Sequence, residues 1–215
     1  MWKRSFDFAV SGLALLLLCP VMAVIAFLVW LDSGRPIFYG QERVGKAFRL
    51  FRIRKFRSMR IGQSGPQITA GGDRRITRIG AALRAAKLDE LPQFWNVLVG
   101  DMSLVGPRPE VPKYVELHRE QYARVLTVRP GITDNASLVY RQEERLLGEA
   151  ADPERYYREA VLPEKLRLSL QYIERQSFAG DVWILIRTFA AVFGFAGSDE
   201  QSAKRAGETP CQPQI

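Results

Sequence analysis

The sequence predicts a mainly α fold with a small β-hairpin (α+β), carried on an N-terminal membrane helix. Three observations point there. Phe8 to Leu31 contains no charged residue, and that length can cross a bilayer core. Ile37 to Arg43 and Ala47 to Ile53 are two strand-compatible runs around Val44-Gly45-Lys46, the pattern of a hairpin. Beyond Asp73, apolar residues recur at helical spacing. At 215 residues, one domain plus an anchor is the expected size. The boundaries read as 1–34 for the membrane helix and its flanks, 35–195 for the folded domain, and 196–215 for a disordered tail.

The N-terminal segment admits three readings. A signal peptide is shorter than this stretch, and no small-residue cleavage motif follows it. Pro20, after Cys19, sits at its middle. A mid-helix proline removes one backbone hydrogen bond and crowds the preceding turn, so a break or kink at Cys19–Pro20 is expected. A bent span would leave the N-terminus outside. A re-entrant helix would dip in and return. Basic residues flank both ends, Lys3 and Arg4 before, Arg35 and Arg43 after, and the positive-inside tendency favours the re-entrant form. An ordinary signal-anchor with a tolerated proline stays open.

Composition narrows the partners. The chain is 47% hydrophobic and 25% charged, enough for a core and too polar for several spans. The net charge of +8 calls for an acidic partner: anionic lipid, nucleotide phosphate or nucleic acid. Two cysteines, Cys19 and Cys211, make neither a disulfide framework nor a metal site, which fits a reducing, cytosol-facing body. A single histidine, His118, argues against histidine-based catalysis.

The elements follow in order. Asp32 to Pro36 is a turn. From Arg43 to Arg60, eight basic residues face one acid, Glu42, with Phe48, Phe51 and Phe56 interleaved. That mixture suits single-stranded nucleic acid or an anionic membrane surface, and the neighbouring anchor favours lipid or nucleotide phosphate. Ile61 to Gly72 reads as a mobile loop. Asp73 can cap a helix through Ile76, Ile79, Leu83 and Ala86. A second helix starts at Asp89 and ends near Gly100, with Leu91, Phe94, Trp95 and Leu98 at helical spacing. Pro153 to Ser177 is an amphipathic helix interrupted or re-entered at Pro163. Asp181 to Phe195 is a short apolar helix that packs on the core or lies in the interface. From Gly197 the chain is polar.

The chemistry concentrates in Lys87-Leu88-Asp89-Glu90-Leu91-Pro92-Gln93 and in Gly100 to Pro109. Asp89 stands at an expected N-cap, with Glu90 following and Pro92 tolerated in the first turn. A capping role alone accounts for that spacing. The neighbours add a second reading, because helix N-termini bind phosphate, Arg84 and Lys87 lie close, and Arg108 is braced between two prolines. A carboxylate among cations stays ionised and can attack phosphorus.

The chain resembles the bacterial sugar transferase family, the small monotopic phosphoglycosyl transferases that start polyprenyl-linked glycan assembly. The matching stretches are Lys3 to Asp7, Cys19-Pro20, Gln41 to Gly45, Lys55 to Met59, Arg75 to Gly80 with Leu83-Arg84, Leu88 to Gln93, Asn96 to Pro109, and Arg129 to Thr133. The resemblance implies a re-entrant helix in one leaflet, a site at the cytosolic face of the bacterial inner membrane, and an α+β body with interfacial helices. It implies that Asp89 attacks the β-phosphorus of a UDP-sugar, UMP leaves, and undecaprenyl phosphate takes the phosphosugar. Magnesium is implied at Asp89 and Glu90. Lys55, Arg57, Arg84 and Arg108 match basic residues near the phosphates. No nucleic-acid partner is implied, and the oligomeric state, including a dimer, stays open.

One stretch departs. Many family members follow the Pro-Gly-Ile-Thr motif with Gly, then Gln, then Asn-Gly-Arg-Asn. Here Asp134 to Glu144 follows instead. Arg141 holds the arginine position, and Arg129 and Arg141 are the implied nucleotide contacts. The departure leaves the sugar open. The rival reading from another class is a non-catalytic membrane adaptor whose basic hairpin binds anionic lipid or RNA.

Overall fold

The structure is a computed structural model that describes residues 2–62 and 68–192. The expected tail beyond 195, Cys211, and residues 63–67 of the expected loop lie outside the described residues. The fold is mainly helical, as the sequence predicts. It comprises α1 (Trp2–Ser33), a hairpin of β1 (Phe38–Val44) and β2 (Leu50–Phe56), α2 (Arg78–Ala85), α3 (Gln93–Val99), β3 (Ser103–Val105), α4 (Pro112–Leu117), α5 (Arg119–Val125), β4 (Gly131–Thr133), α6 (Asn135–Val139), α7 (Glu143–Glu149), α8 (Pro153–Tyr156), α9 (Leu162–Glu174) and α10 (Phe178–Val192). β3 and β4 form a second, parallel pair that the sequence reading lacked.

Helix α1 is continuous through Pro20. The expected break at Cys19–Pro20 therefore does not interrupt the helix, because a proline deprives the ladder of only one donor. Cys19 is exposed. Both arms of α1 hold the same body. Near its start, Lys3 Nζ donates to Val105 O (2.8 Å) and pairs with Asp181 (2.5 Å). Asp7, 3% exposed, accepts from Ser103 Oγ (2.8 Å) and Leu104 N (3.2 Å). Near its end, Ile25 and Val29 pack with Phe56 and Leu83. The stretch between them is largely exposed, including Leu13, Leu16 and Leu17.

The hairpin exists with a shifted second strand. β1 and β2 pair Phe38 with Phe56 and Val44 with Leu50, so β2 begins three residues later than expected. The reason is local: Ala47 and Phe48 take left-handed conformations (φ 55° and 60°) in a 3₁₀ turn, which removes them from the strand. Asp73 does not cap α2. It holds Arg75 in a tight turn, and Thr77 caps instead, accepting from Gly80 N at 3.0 Å. Within the expected amphipathic stretch from Pro153, α8 passes through a π-turn (Tyr157–Val161) into α9. The π-turn sits just before Pro163, which has no N–H to continue the regular ladder.

Two close approaches set the frame of the site. A Cβ on Gly80 would lie 2.1 Å from Ser58 O, and one on Gly131 would lie 2.1 Å from Gly106 N. The first seats α2 against the end of β2. The second brings β4 against the strand exit at Gly106, just ahead of Arg108. Gly80→Ala must push backbone apart, so it should destabilise the protein by about 1–3 kcal/mol. A thermal unfolding midpoint unchanged from wild type in detergent would contradict this packing.

Candidate active site

Asp89 and Glu90 sit in a 3₁₀ turn (Leu88–Glu90), not at the cap of the following helix. Lys87 turns the chain in a left-handed conformation (φ 57°), and α3 starts only at Gln93, with no side-chain cap. The expected helix from Asp89 is thus a tight turn followed by a short helix. The turn holds the carboxylates out of the helix ladder, where they meet residues from three other elements.

Glu90 is the hub. Its Oε1 accepts from Lys55 Nζ on β2 (2.9 Å) and from Arg108 Nη2 after β3. Arg108 Nη1 donates to Ile132 O (3.2 Å), and its backbone N–H donates to Asp134 (3.3 Å). Asp134 also accepts from Ser137 N (2.7 Å) as the cap of α6. α3 is tied to β2 by Asn96, which accepts from Arg54 N (3.0 Å) and donates to Arg52 O (2.8 Å). These bonds fix Lys55, Glu90 and Arg108 together.

The two neighbouring carboxylates are driven in opposite directions. For Glu90, burial alone would raise the pKa, but Arg108 and Lys55 together hold it well below the usual range. Asp89 is 4% exposed and accepts no hydrogen bond among the described residues. Burial raises its pKa and outweighs the pull of Lys55, Arg84 and Lys87, while Glu90 pushes the same way. Desolvation is the largest influence on this carboxylate, and the surrounding cations oppose it. Burial lowers Lys55, with Glu90 opposing. Arg108 is raised by the Glu90 charge.

The other expected residues are placed as follows. Arg84 lies within electrostatic reach of Asp89, and its guanidinium is gripped by Glu144 (2.5 and 3.3 Å) and touches Ser58 Oγ (3.3 Å). Arg57, 4% exposed, donates to Ser33 O, Ser33 Oγ (2.7 Å) and Gly34 O (2.7 Å). It closes the C-terminal end of α1 instead of facing the carboxylates. Arg129 donates through Nε to Gly100 O (2.9 Å), at the opposite end of α3 from Glu90. Arg141 is exposed, with no ion pair among the described residues.

The structure adds acids that the sequence reading did not single out. Glu144 on α7 grips Arg84. Glu143 pairs with Lys165 (2.8 Å) and acts on Arg108 through its charge. Both belong to the stretch that departs after Thr133, so that departure is the one signal that could have marked them. Gly71 N donates to Glu144 O (2.6 Å), tying α7 to the loop before α2.

The donor chemistry suits a hard cation. Magnesium takes one or two carboxylates and fills its shell with water and substrate oxygens. Asp89 has both oxygens unpartnered, and Glu90 retains Oε2. The described residues hold no group of three or more His, Cys, Asp or Glu that could bind a metal.

Comparison with known proteins identifies relatives of this chain. The family model for bacterial sugar transferases matches residues 1–195. A UDP-N-acetylgalactosamine-undecaprenyl-phosphate N-acetylgalactosaminephosphotransferase of Aeromonas hydrophila is 39% identical over 88% of this chain and 43% of its own length. A putative undecaprenyl-phosphate N-acetylgalactosaminyl 1-phosphate transferase of Bacillus subtilis is 48% identical over 53% of this chain and 65% of its own. A UDP-glucose:undecaprenyl-phosphate glucose-1-phosphate transferase of Caulobacter vibrioides is 35% identical over 86% and 67%. The chain thus spans less than half of the first relative and about two thirds of the other two.

The opposed shifts of the two carboxylates predict opposed stability effects. A raised pKa means that Asp89 stabilises the fold only at low pH, and this is lost as pH rises through its folded value. Asp89→Asn should therefore raise the melting midpoint at neutral pH. The lowered pKa of Glu90 contributes stability above the ordinary carboxylate range, lost as pH falls through its depressed value. Glu90→Gln strands two cations and should cost about 3 kcal/mol. Melting curves from pH 4 to 8 test both signs.

Proposed function

The chain belongs to the bacterial sugar transferase family, and on that premise we propose that it is a phosphoglycosyl transferase. It moves a sugar 1-phosphate from a UDP-sugar to undecaprenyl phosphate, the first membrane step of a polysaccharide, O-antigen or glycoprotein glycan. The observation that carries this reading is Asp89: a buried carboxylate without hydrogen bonds among the described residues, set beside a Lys55–Glu90–Arg108 cluster and within reach of Arg84.

The chemistry follows from that placement. A largely buried carboxylate free of donors keeps both oxygens available for attack. An Asp89 oxygen forms the bond to the β-phosphorus as the bond to the bridging oxygen breaks, and UMP carries that oxygen away. The polyprenyl phosphate oxygen then forms its bond to the same phosphorus while the Asp89–phosphorus bond breaks. Arg108 and Lys55 stabilise charge on the transferred phosphoryl group. Glu90 positions both cations. When bound at Asp89 and Glu90, magnesium supplies charge neutralisation of the diphosphate.

A shallow membrane placement fits this role, on the cytosolic face and within one leaflet of the inner membrane. Helix α1 has 32 residues and is long and apolar enough to span. A span would separate its ends by a hydrocarbon core of about 30 Å. Yet Lys3 and Asp7 at one end, and Ser33 at the other, bind polar groups of the same body. Trp95 and Val99 on α3, and Trp183, Ile186 and Phe189 on α10, add exposed apolar surface suited to an interface. The acceptor phosphate, held at the lipid surface, can then reach Asp89 without leaving the bilayer.

UMP release in nanodiscs, with magnesium, undecaprenyl phosphate and a panel of UDP-sugars, tests the reaction and names the sugar. Asp89→Asn should abolish release, and Arg108→Ala should slow it by about 10²-fold. Near-wild-type turnover by Asp89→Asn would remove the covalent route. Silence across the panel, with salt-sensitive lipid or RNA binding, would favour the adaptor reading. In a separate measurement, accessibility tags at both termini should report the same side of the membrane. Tags on opposite sides would refute the re-entrant placement.

A further inference from the structure

Near the C-terminal end of α3, a cleft of about 210 Å³ opens. The Asp89–Glu90 turn lies at the other end of this seven-residue helix, so the two are distinct. Four cations line the cleft: Lys3, Arg4, Lys46 and Arg129. Two of them are committed to the fold. Lys3 pairs with Asp181. Arg4 donates from both terminal nitrogens to Val97 O (2.5 Å) and Leu98 O (2.8 Å). Asp7 also lines the cleft, but Ser103 and Leu104 N satisfy it from within.

The other two cations are not committed. Arg129 gives only its Nε to Gly100 O, which leaves both terminal nitrogens without a partner among the described residues. Lys46 is exposed and makes no ion pair or side-chain hydrogen bond among the described residues. Its position is built at some cost. The hairpin turn runs through Ala47 and Phe48 in left-handed conformations, unfavourable for residues with a Cβ. Ala47 N donates to Leu126 O (2.8 Å), and Arg119 lies over the Phe48 ring at 4.8 Å. These contacts hold the strained turn beside Thr127 and Arg129, the kind of outlier that marks functional positions.

A free ammonium and the open edge of a guanidinium lining one cleft match a phosphate group. Exposed aromatic residues lie on the helices that flank it in sequence. Trp2 and Phe8 on α1 are 89% and 56% exposed and share the first turns of α1 with Lys3, Arg4 and Asp7. Phe178 on α10 is 52% exposed and meets Phe6 edge-on at 5.2 Å. Charge in a cleft with bare aromatic surface beside it is the chemistry of a lipid headgroup site.

We propose that the Lys46–Arg129 cleft binds the phosphate of an anionic phospholipid, at a site separate from the one that receives the acceptor lipid. The proposal rests on the membrane placement argued above. It also gives Arg129 a role at this cleft instead of at the nucleotide.

The test uses the full chain in detergent, titrated with phosphatidylglycerol and followed by native mass spectrometry. Wild type should retain one phosphatidylglycerol in preference to phosphatidylcholine. Lys46→Ala should weaken retention about fivefold, the effect of one surface cation near an anionic headgroup, and Lys46→Glu should weaken it further. Turnover of Lys46→Glu in detergent with saturating substrates should match wild type. Equal retention by all three proteins, or equal retention of phosphatidylcholine, would overturn the site. Displacement of the lipid by millimolar inorganic phosphate would reassign it to a free phosphate species. Vesicle co-sedimentation separates the premises: a chain that fails to sediment loses the membrane placement, whereas one that sediments without selective retention loses only this cleft.

Discussion

An apolar helix tied at both ends by buried polar groups organises this molecule. Lys3 and Asp7 reach into the body at one end of α1, and Arg57 reaches from the body to the carbonyls at the other. Each of these groups would be expensive to bury alone, so each fixes a partner. Together they settle which face of α1 meets α3 and where β2 ends. α3 in turn carries the Asp89–Glu90 turn at its start, and β2 carries Lys55 near its end. The same ties that hold an apolar helix against a basic body therefore set the geometry of the candidate site.

Within that frame, two adjacent carboxylates acquire separate characters. Glu90 gathers two cations and becomes a fixed anion. Asp89, one residue earlier, receives burial without hydrogen bonds and is pushed toward its neutral form. The backbone accounts for the difference. A 3₁₀ turn after a left-handed Lys87 places Glu90 against Lys55 and Arg108 and leaves Asp89 without a hydrogen bond among the described residues. Pairs of titratable groups driven apart in this way are a recurrent sign of divided chemical labour.

The stretch after Thr133 is where this chain differs most from the pattern its other motifs follow, and it borders the site on three counts. Asp134 caps α6 and holds the backbone of Arg108. Glu143 acts on Arg108 at a distance and pairs with Lys165. Glu144 occupies Arg84. A substitution pattern that looked like a loop difference thus supplies acids to the cations around Asp89. Its tie to Gly71 extends the same connection to the loop ahead of α2.

The sequence by itself determined the mainly helical class, the apolar N-terminal helix and the hairpin, and it singled out Asp89 and Glu90 as the candidate pair, because each is written in local periodicity, charge or a short ordered motif. It did not determine that Asp73 would yield the cap to Thr77, or that β2 would start three residues late, since both were decided by turns closed through specific side chains and left-handed residues. It also could not tell Lys55 and Arg108 apart from Arg57 and Arg129. All four are basic residues in matching motifs, yet two meet Glu90, one closes the end of α1, and one lines a cleft at the far end of α3. That distinction depends on which strand end meets which helix end. Only long-range packing, with charges drawn to whatever carboxylate or helix terminus lies nearest, decides it.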